Sequence, residues 1–150
     1  MPTDLSVLGT TDDGVTMELR HPVDGSVLMN GTAPVSITLT GEDSAAYRRV
    51  EREQNNRRLK DLSRGRKRDL TDEELEASAI ERLAACTVAW HGIVLDGDNL
   101  ACTELNARRL YGESRLAWVR EQVNEFVRDR RNFLLNSGTT SSPTASTSSD

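Results

Sequence analysis

Two segments near the start of the chain alternate apolar and polar residues, the period of two that is typical of half-buried β-strands. Val15, Met17 and Leu19 alternate with polar neighbours, and residues 35–40 repeat this pattern. Between the two segments, the sequence HPVDGSVLM combines a turn at Asp24-Gly25 with a second apolar run, which favours a hairpin. The pattern predicts a small antiparallel sheet of three strands within residues 15–40, with one apolar face.

From residue 43 onward, apolar residues recur at spacings of three and four, which favours amphipathic helices. Ser44, Thr71 and Thr103 can cap helix N-termini, and Glu74 completes a capping box with Thr71. The pattern therefore predicts an α+β protein, mostly α, in which a bundle of about four helices follows the small sheet. The predicted helices cover residues 43–62, 71–90, 104–112 and 113–135.

The predicted helices differ in how much apolar surface they offer. The central helix at residues 71–90 and the last helix at residues 113–135 each carry a clear apolar stripe, so we expect them to pack together. The first helix is mostly polar and offers only a thin stripe. Its sparse apolar positions are Ala46, Tyr47, Val50, Leu59 and Leu62.

Both ends of the sequence lack a regular apolar pattern. Residues 1–14 are predicted to form a flexible N-terminal arm. Residues 136–150 contain ten Ser or Thr and a single apolar side chain, so this tail is predicted to be disordered. One folded domain is expected at residues 15–135, with its β module at 15–40 and its helical part at 43–135.

The stretch WHGIVLDGDNLACTELNARRLY, residues 90–111, is the part of the chain richest in chemically capable side chains. Asp96 and Asp98 match the first and third positions of a calcium loop. However, Ala101 and Ala107 stand where that loop requires a glycine and a bidentate acid. The Asp96-Gly97 pair instead predicts a turn in a connector between two helices.

Cys86, His91 and Cys102 would supply three zinc ligands, but they form no CxxC or HxxxH pair. No nucleophile motif surrounds either cysteine, and no Gly-rich phosphate loop is present. We therefore predict no catalytic residue, no bound metal and no cofactor, and a protein that is not an enzyme.

Composition and charge narrow the setting and the partners. The chain has 36% apolar residues and no apolar run long enough for a membrane span, and its two cysteines are too few for a disulfide framework. These features, with a polar N-terminus unlike a secretory signal, predict a cytoplasmic protein without a membrane association.

The net charge of −5 is unevenly distributed, because residues 47–68 hold ten basic and three acidic side chains. Such a segment is either a solvated helix face or a binding site for an acidic protein surface or a nucleic acid. Nucleic acid is the less favoured partner, because the segment has no aromatic interleaving and no zinc-finger or basic-zipper frame.

An ordered set of short motifs resembles the tail assembly chaperones of long-tailed bacteriophages and prophages. The resemblance covers about residues 15–135, with Cys102 standing where a larger apolar residue is expected. These motifs are fold elements, so they imply no active site. They are His21, Pro22 and Gly25; Gly41, Asp43 and Ser44; Trp90, Gly92, Asp96 and Gly97; Thr103, Asn106 and Ala107; and Asn132, Phe133 and Leu134.

The resemblance implies a protein of the host cytoplasm that binds the helical tape measure protein, keeps it soluble, helps to recruit tail tube subunits and is absent from the mature virion. A longer, frameshifted form of the same chain is a further partner that the family implies. The alternative hypothesis is a virion-associated structural or nucleic-acid-binding protein that uses the Arg-rich residues 48–68.

A holdase for a long helix needs an apolar groove with charged rims. We expect such a groove on the faces of the central and last helices, although plain core packing of their aromatic residues is the stronger alternative. The candidate partner-binding residues are Arg48, Arg49, Arg52, Arg57, Arg58, Trp90, Trp118 and Phe126.

Overall fold

The computed structural model of the protein describes residues 4–65 and 70–135. The described chain is mixed α+β, with a three-stranded antiparallel sheet and four α-helices, as predicted. Three 3-10 turns, Leu5–Leu8, Ser114–Leu116 and Arg130–Phe133, complete the described elements. The strands and helices are β1 (Val15–Glu18), β2 (Met29–Asn30), β3 (Ala33–Pro34), β4 (Ser36–Leu39), α1 (Ala45–Ser63), α2 (Asp72–Cys86), β5 (Thr87–His91), β6 (Val94–Leu95), β7 (Asp98–Asn99), α3 (Glu104–Gly112) and α4 (Ala117–Arg128).

The sheet has the strand order β1-β4-β5, so its third strand comes from the middle of the chain. Met17, Ile37 and Trp90 lie side by side across the three strands, and the first two are buried. The prediction of three strands within residues 15–40 is therefore wrong in its membership. The apolar run after the Asp24-Gly25 turn pairs locally instead, where the Leu28 N–H donates to the Leu19 carbonyl at 3.0 Å.

The central helix ends four residues earlier than its apolar spacing predicts. α2 stops at Cys86, and the chain continues without a loop into β5. The Thr87 hydroxyl donates to the Leu83 carbonyl at 2.9 Å, which satisfies one of the last helical acceptors. The following residues include Val88 and Trp90, which are residue types that favour strands. Their pairing with β4 satisfies the backbone groups along that edge of β4, which a helix at this position would leave without partners.

The core lies between the sheet and the helices, with α2 at its centre. α2 contacts α1, α3 and α4, while the buried face of the sheet supplies Met17, Ile37 and Leu39. α2 therefore packs against all three of the other helices. The largest fully buried side chains are Tyr111, Phe133, Ile37, Leu39, Leu83, Val123, Val127 and Cys86.

The last predicted helix is also shorter than its spacing suggests. α4 ends at Arg128, and Asp129 is extended, with φ −91° and ψ 101°. The Asp129 carboxylate accepts the Arg131 N–H at 3.1 Å and caps a 3-10 turn. This break turns Phe133 inward, where its ring meets Phe126 edge-on at a centroid distance of 5.4 Å.

Part of the predicted N-terminal arm pairs with the end of the described chain. The Thr11 N–H donates to the Phe133 carbonyl at 2.8 Å, and the Leu135 N–H donates to the Gly9 carbonyl at 2.9 Å. Thr10 and Leu134 form an antiparallel bridge between these two bonds. Residues 9–11 therefore belong with the folded domain, whereas the tail at 136–150 lies outside the described residues.

The chemically dense stretch after α2 is a strand, a hairpin and a helix start. β6 and β7 are joined by a two-residue turn in which Asp96 has φ 52° and Gly97 has φ 87°, as a type I′ turn requires. Thr103 caps α3 by accepting the Asn106 N–H, which confirms the predicted turn and cap. Within the described residues, no helix is long and apolar enough to cross a membrane.

Candidate protein-binding surface

The start of α1 is fixed to the end of α4. Ser44 caps α1 by accepting the Tyr47 N–H at 3.3 Å. One residue earlier, the Asp43 carboxylate accepts two hydrogen bonds from the Arg130 guanidinium, one of them at 3.0 Å. These hydrogen bonds, with the charges of Arg130 and Arg48, lower the pKa of Asp43 below its ordinary value, although partial desolvation opposes them.

The first half of α1 packs on α2. Tyr47, Val50 and Gln54 are its buried residues, with exposures of 6%, 5% and 8%. The spacing of three and four places them on one face, and the guanidinium of Arg82 lies 5.7 Å from the centre of the Tyr47 ring. This face anchors α1 to the domain.

The Gln54 side chain joins α1 to α2 through three hydrogen bonds. Its amide nitrogen donates to the Ser78 carbonyl at 3.0 Å and to the Glu81 carboxylate at 2.9 Å, and its oxygen accepts from Arg82 at 2.8 Å. Arg57 adds a bond to Glu81 at 3.0 Å. Burial raises the pKa of Glu81, but the bonds from Gln54 and Arg57 outweigh it, and the pKa lies below its ordinary value.

Beyond Gln54, none of the α1 residues is buried. Leu59 and Leu62 are 62% and 44% exposed, and their spacing of three residues places them next to each other on one side of the helix. The outer half of α1 therefore presents apolar surface to solvent rather than to the core, which corrects the single thin stripe that the sequence suggested.

Five exposed residues form one line along α1, which we call the α1 stripe. Their spacing is four, three, four and three, the repeat that keeps residues on one side of a helix in a coiled coil. The end of the stripe near the helix N-terminus is cationic, the end near the C-terminus is apolar, and a side-chain amide lies between them. The α1 stripe consists of Arg48, Arg52, Asn55, Leu59 and Leu62.

A shallow groove of about 440 Å³ opens between the outer half of α1 and α2. Leu62 lies both in this groove and on the α1 stripe, so the two surfaces are continuous. The groove combines small apolar patches with charged rims from both helices. It is lined by Gln54, Arg57, Arg58, Asp61, Leu62, Leu70, Glu74, Ala77, Ser78, Glu81 and Arg108.

The five arginines predicted to bind a partner are all exposed on α1, but they do not form one face. Arg48 and Arg52 belong to the α1 stripe, and Arg58 lines the neighbouring groove. Arg49 points about 100° away from Arg48 around the helix axis, and Arg57 is engaged by Glu81.

The three predicted aromatic residues lie elsewhere and pack against the core. Trp90 is on β5, where its indole N–H donates to the Leu100 carbonyl at 2.7 Å. Trp118 and Phe126 are partly buried on α4. The structure therefore brings the predicted arginines together on one helix, while the aromatics lie on β5 and α4. Sequence reasoning missed Asn55 and counted Leu59 and Leu62 in the same thin apolar stripe as Tyr47 and Val50.

The side chains considered for chemistry are separated or shielded. Within residues 4–65 and 70–135, no three His, Cys, Asp or Glu side chains are placed to hold a metal ion. Cys86 is fully buried, and desolvation raises the pKa of its thiol above the ordinary value. Desolvation also raises the pKa of Cys102, so both thiols are less nucleophilic than a free cysteine at neutral pH.

Comparisons with protein-family models, with curated proteins and with solved structures find no match for this chain.

Proposed function

We propose that this protein is a tail assembly chaperone that binds the helical tape measure protein of a long-tailed phage or prophage. The motifs between residues 15 and 135 are the source of this proposal. The observation that supports it is the α1 stripe, an exposed line of residues at coiled-coil spacing on a helix that is anchored over only half of its length.

The α1 stripe suits a partner helix better than it suits a compact ligand. A second helix packed along it would cover Leu59 and Leu62, which are spaced by three residues on one face. Covering each of these half-exposed leucines would contribute about 1 kcal/mol, less than complete burial of a leucine. Several such contacts along a long client add up without requiring a deep pocket.

The charges of the α1 stripe set a preference among helical partners. Arg48 and Arg52 lie seven to eleven residues before Leu59, which corresponds to about two to three helical turns. A matching client helix would place acidic residues two or three turns away from its apolar residues. Long tape measure helices have apolar stripes that aggregate when they are bare, so a chaperone of this kind would act in the host cytoplasm before tube subunits cover them.

The environments of the cysteine and histidine side chains favour binding over catalysis. The thiols have raised pKa values, and the two histidines lie on different segments, His91 at the end of β5 and His21 in the loop after β1. We therefore propose a protein without an enzymatic activity of its own.

Nucleic acid binding is the alternative function, and the arrangement of α1 disfavours it. Residues 45–63 carry six cations and three acids, and the cations are distributed around the helix rather than along one side. A filter-binding titration against DNA and RNA at low salt separates the two proposals. Binding that weakens steeply with added salt would support the alternative.

Co-expression with the proposed client, a tape measure protein from the same genome, tests the proposed function. We expect the tape measure protein to be soluble only when this chain is present, and this chain to be missing from purified particles. A tape measure protein that is equally soluble without the chain would overturn the proposal. So would recovery of the chain as a stoichiometric component of the mature particle.

The variant L59E/L62E tests whether the α1 stripe is the binding surface. Two new carboxylates on the apolar part of the stripe should abolish client solubilisation without unfolding the domain, because both side chains are exposed. Leu105→Glu, which adds one carboxylate at a leucine that is 78% exposed on α3, is the control for a new surface charge elsewhere. Full activity of L59E/L62E would show that the client binds elsewhere.

A further inference from the structure

A second groove lies on another part of the molecule, between β1 and α4. It has a volume of about 660 Å³ and is open to solvent along one side. Met17, Pro22 and Phe126 contribute apolar surface, while most of the other lining residues are polar or charged. The residues that line it are Thr16, Met17, Glu18, Arg20, His21, Pro22, Gly25, Gln122, Glu125, Phe126, Asp129, Arg131 and Asn132.

The backbone of β1 presents alternate residues to this groove. The Leu19 N–H donates to the Val35 carbonyl at 2.9 Å, in line with the β1–β4 register. The backbone N–H and C=O groups of the odd-numbered residues therefore face β4. In an antiparallel ladder the residues between them point the other way. The N–H and C=O groups of Thr16, Glu18 and Arg20 therefore face α4 and the groove.

Gln122 already occupies one position of this edge. The Arg20 N–H donates to the Gln122 side-chain oxygen at 3.0 Å, and the Gln122 amide nitrogen donates to the Arg20 carbonyl at 2.8 Å. A side-chain amide therefore makes the pair of bonds that a neighbouring strand would make with this residue. At Arg20, the edge of β1 is therefore already paired with an amide group, in the way that an added strand would pair with it.

The next two positions are open. Within the described part of the chain, the backbone groups of Thr16 and Glu18 that face the groove have no hydrogen-bond partner. Edge strands with unpaired groups are normally shortened, twisted away or covered, because they bind other strands. Here the open edge lies beside a groove that has room for an added chain.

The charges around the open edge indicate which chain would fit. Glu18 and Glu125 both line the groove, and neither forms an ion pair with another described residue. Asp129, at the far end, is neutralised by Arg131 through bonds of 2.9 and 2.6 Å. Arg20 also lines the groove, where its guanidinium donates to the Gly25 carbonyl at 3.2 Å. The three carboxylates of the lining outnumber its two guanidinium groups, so the groove carries a net negative charge, centred on Glu18 and Glu125.

We propose that this groove binds an extended segment of a partner protein, which adds to β1 as a fourth strand and places Lys or Arg side chains beside Glu18 and Glu125. Main-chain bonds to Thr16 and Glu18 hold the segment, apolar residues between its cations contact Met17 and Phe126, and the two carboxylates select for positive charge. The site is separate from the α1 stripe and does not depend on the proposed function.

Backbone NMR of the full chain with the peptide acetyl-VKVKV-amide tests this site. Amide resonances of Thr16 and Glu18 should shift on titration, and their hydrogen exchange should slow as they become paired. The same peptide with every amide N-methylated should produce neither effect, because it cannot donate to the Thr16 and Glu18 carbonyls and its N-methyl groups prevent close pairing along the edge. No change at these two amides, or an equal change with the methylated peptide, would overturn the proposal.

A charge exchange tests the selectivity of the groove. The peptide acetyl-VEVEV-amide should bind about fivefold more weakly than the lysine peptide, the effect of two exposed ion pairs. E18K/E125K should reverse this order, while E51K/E53K, which makes the same change of net charge on α1, should preserve it. An unchanged order in E18K/E125K would contradict the assigned carboxylates.

Hydrogen exchange of the protein without peptide tests whether a second copy of this chain occupies the edge. If exchange of the Thr16 and Glu18 amides is already slow without peptide, and becomes faster on dilution, then a second copy of this chain occupies the edge. That result would overturn the proposal of a partner segment. Fast exchange at all protein concentrations is the result that we expect.

Discussion

Gly41 lies against the ring of Phe133 so closely that a Cβ added to Gly41 would be 2.7 Å from Cδ2 and 2.9 Å from Cγ. Phe133 is 2% exposed, so its ring could move away only by displacing other core atoms. The contact joins the turn after β4, where α1 begins, to the last 3-10 turn of the described chain.

Gly41→Ala should lower the free energy of unfolding by about 1–3 kcal/mol, because the new methyl group overpacks a buried aromatic ring. Urea denaturation followed by circular dichroism measures the change. Gly112→Ala is the control, since its added Cβ would meet Cδ1 of Ile80 at an ordinary 3.7 Å. Equal stability of Gly41→Ala and the wild type would show that Phe133 can move.

Gln54→Leu should destabilise the domain by about 1–3 kcal/mol, because Glu81 and Arg82 each lose a partly buried hydrogen-bond partner. Amide hydrogen exchange in α1 should become faster than exchange in α2. Asn55→Leu places the same side chain on the adjacent, exposed position and should change stability by less than about 0.5 kcal/mol. A similar loss in both variants would count against the Gln54 network.

The pKa of Asp43 is lowered in the folded protein, chiefly by the hydrogen bonds from Arg130. A carboxylate with a lowered folded pKa stabilises the protein above its unfolded pKa, which is ~3.9, and this stability is lost as pH falls through the folded value. The stability of the wild type should therefore fall on acidification below about pH 4. The stability of Asp43→Asn should fall less steeply over the same range. Urea midpoints between neutral and acidic pH measure the difference.

Asp98→Asn is the control for this titration, because Asp98 forms no ion pair with any other described residue. Its acid-dependent loss of stability should match that of the wild type. If Asp43→Asn keeps the full acid sensitivity, then the Asp43 and Arg130 pair does not contribute to it.

The two thiols should differ in their reaction with iodoacetamide at neutral pH. Cys102 is partly exposed and Cys86 is fully buried, so Cys102 should be modified first and Cys86 only on unfolding. Both should react more slowly than a small free thiol, because burial raises their pKa values. Mass spectrometry over a time course checks the order, and early modification of Cys86 would indicate local opening around α2.

Local signals in the sequence predict local structure in this protein. The capping box of Thr71 and Glu74 and the turn at Asp96-Gly97 are both found where the residues indicate them. Each depends on side chains within a few positions of one another, and little in the rest of the fold can override them.

The end of α2 could not be predicted in the same way. Cys86 and Trp90 keep a helical spacing, but the chain between them pairs with β4, which lies about fifty positions earlier in the sequence. Such a partner leaves no trace in the spacing of apolar residues, because two residues four positions apart share a face in a strand as well as in a helix.

The candidate surface was only partly visible in the sequence. Composition identified the arginines of α1, but it could not say which of them share a side. A helical projection would have placed Leu59 on the side opposite the buried Val50, because nine residues correspond to about 180° around the helix. The buried Gln54, rather than another apolar residue, marks the point where contact with the core ends.

The pairing of residues 9–11 with residues 133–135 also has a mechanical consequence. Because Gly9 lies opposite Leu135 in an antiparallel pair, the chain leaves both of these residues on the same side. A force that pulls the two ends apart would open this pair like a zipper, one hydrogen bond after another, rather than shearing all of them at once. We therefore expect the domain to yield at low force, beginning at the Gly9 and Leu135 bond, while α1 and α2 are still folded.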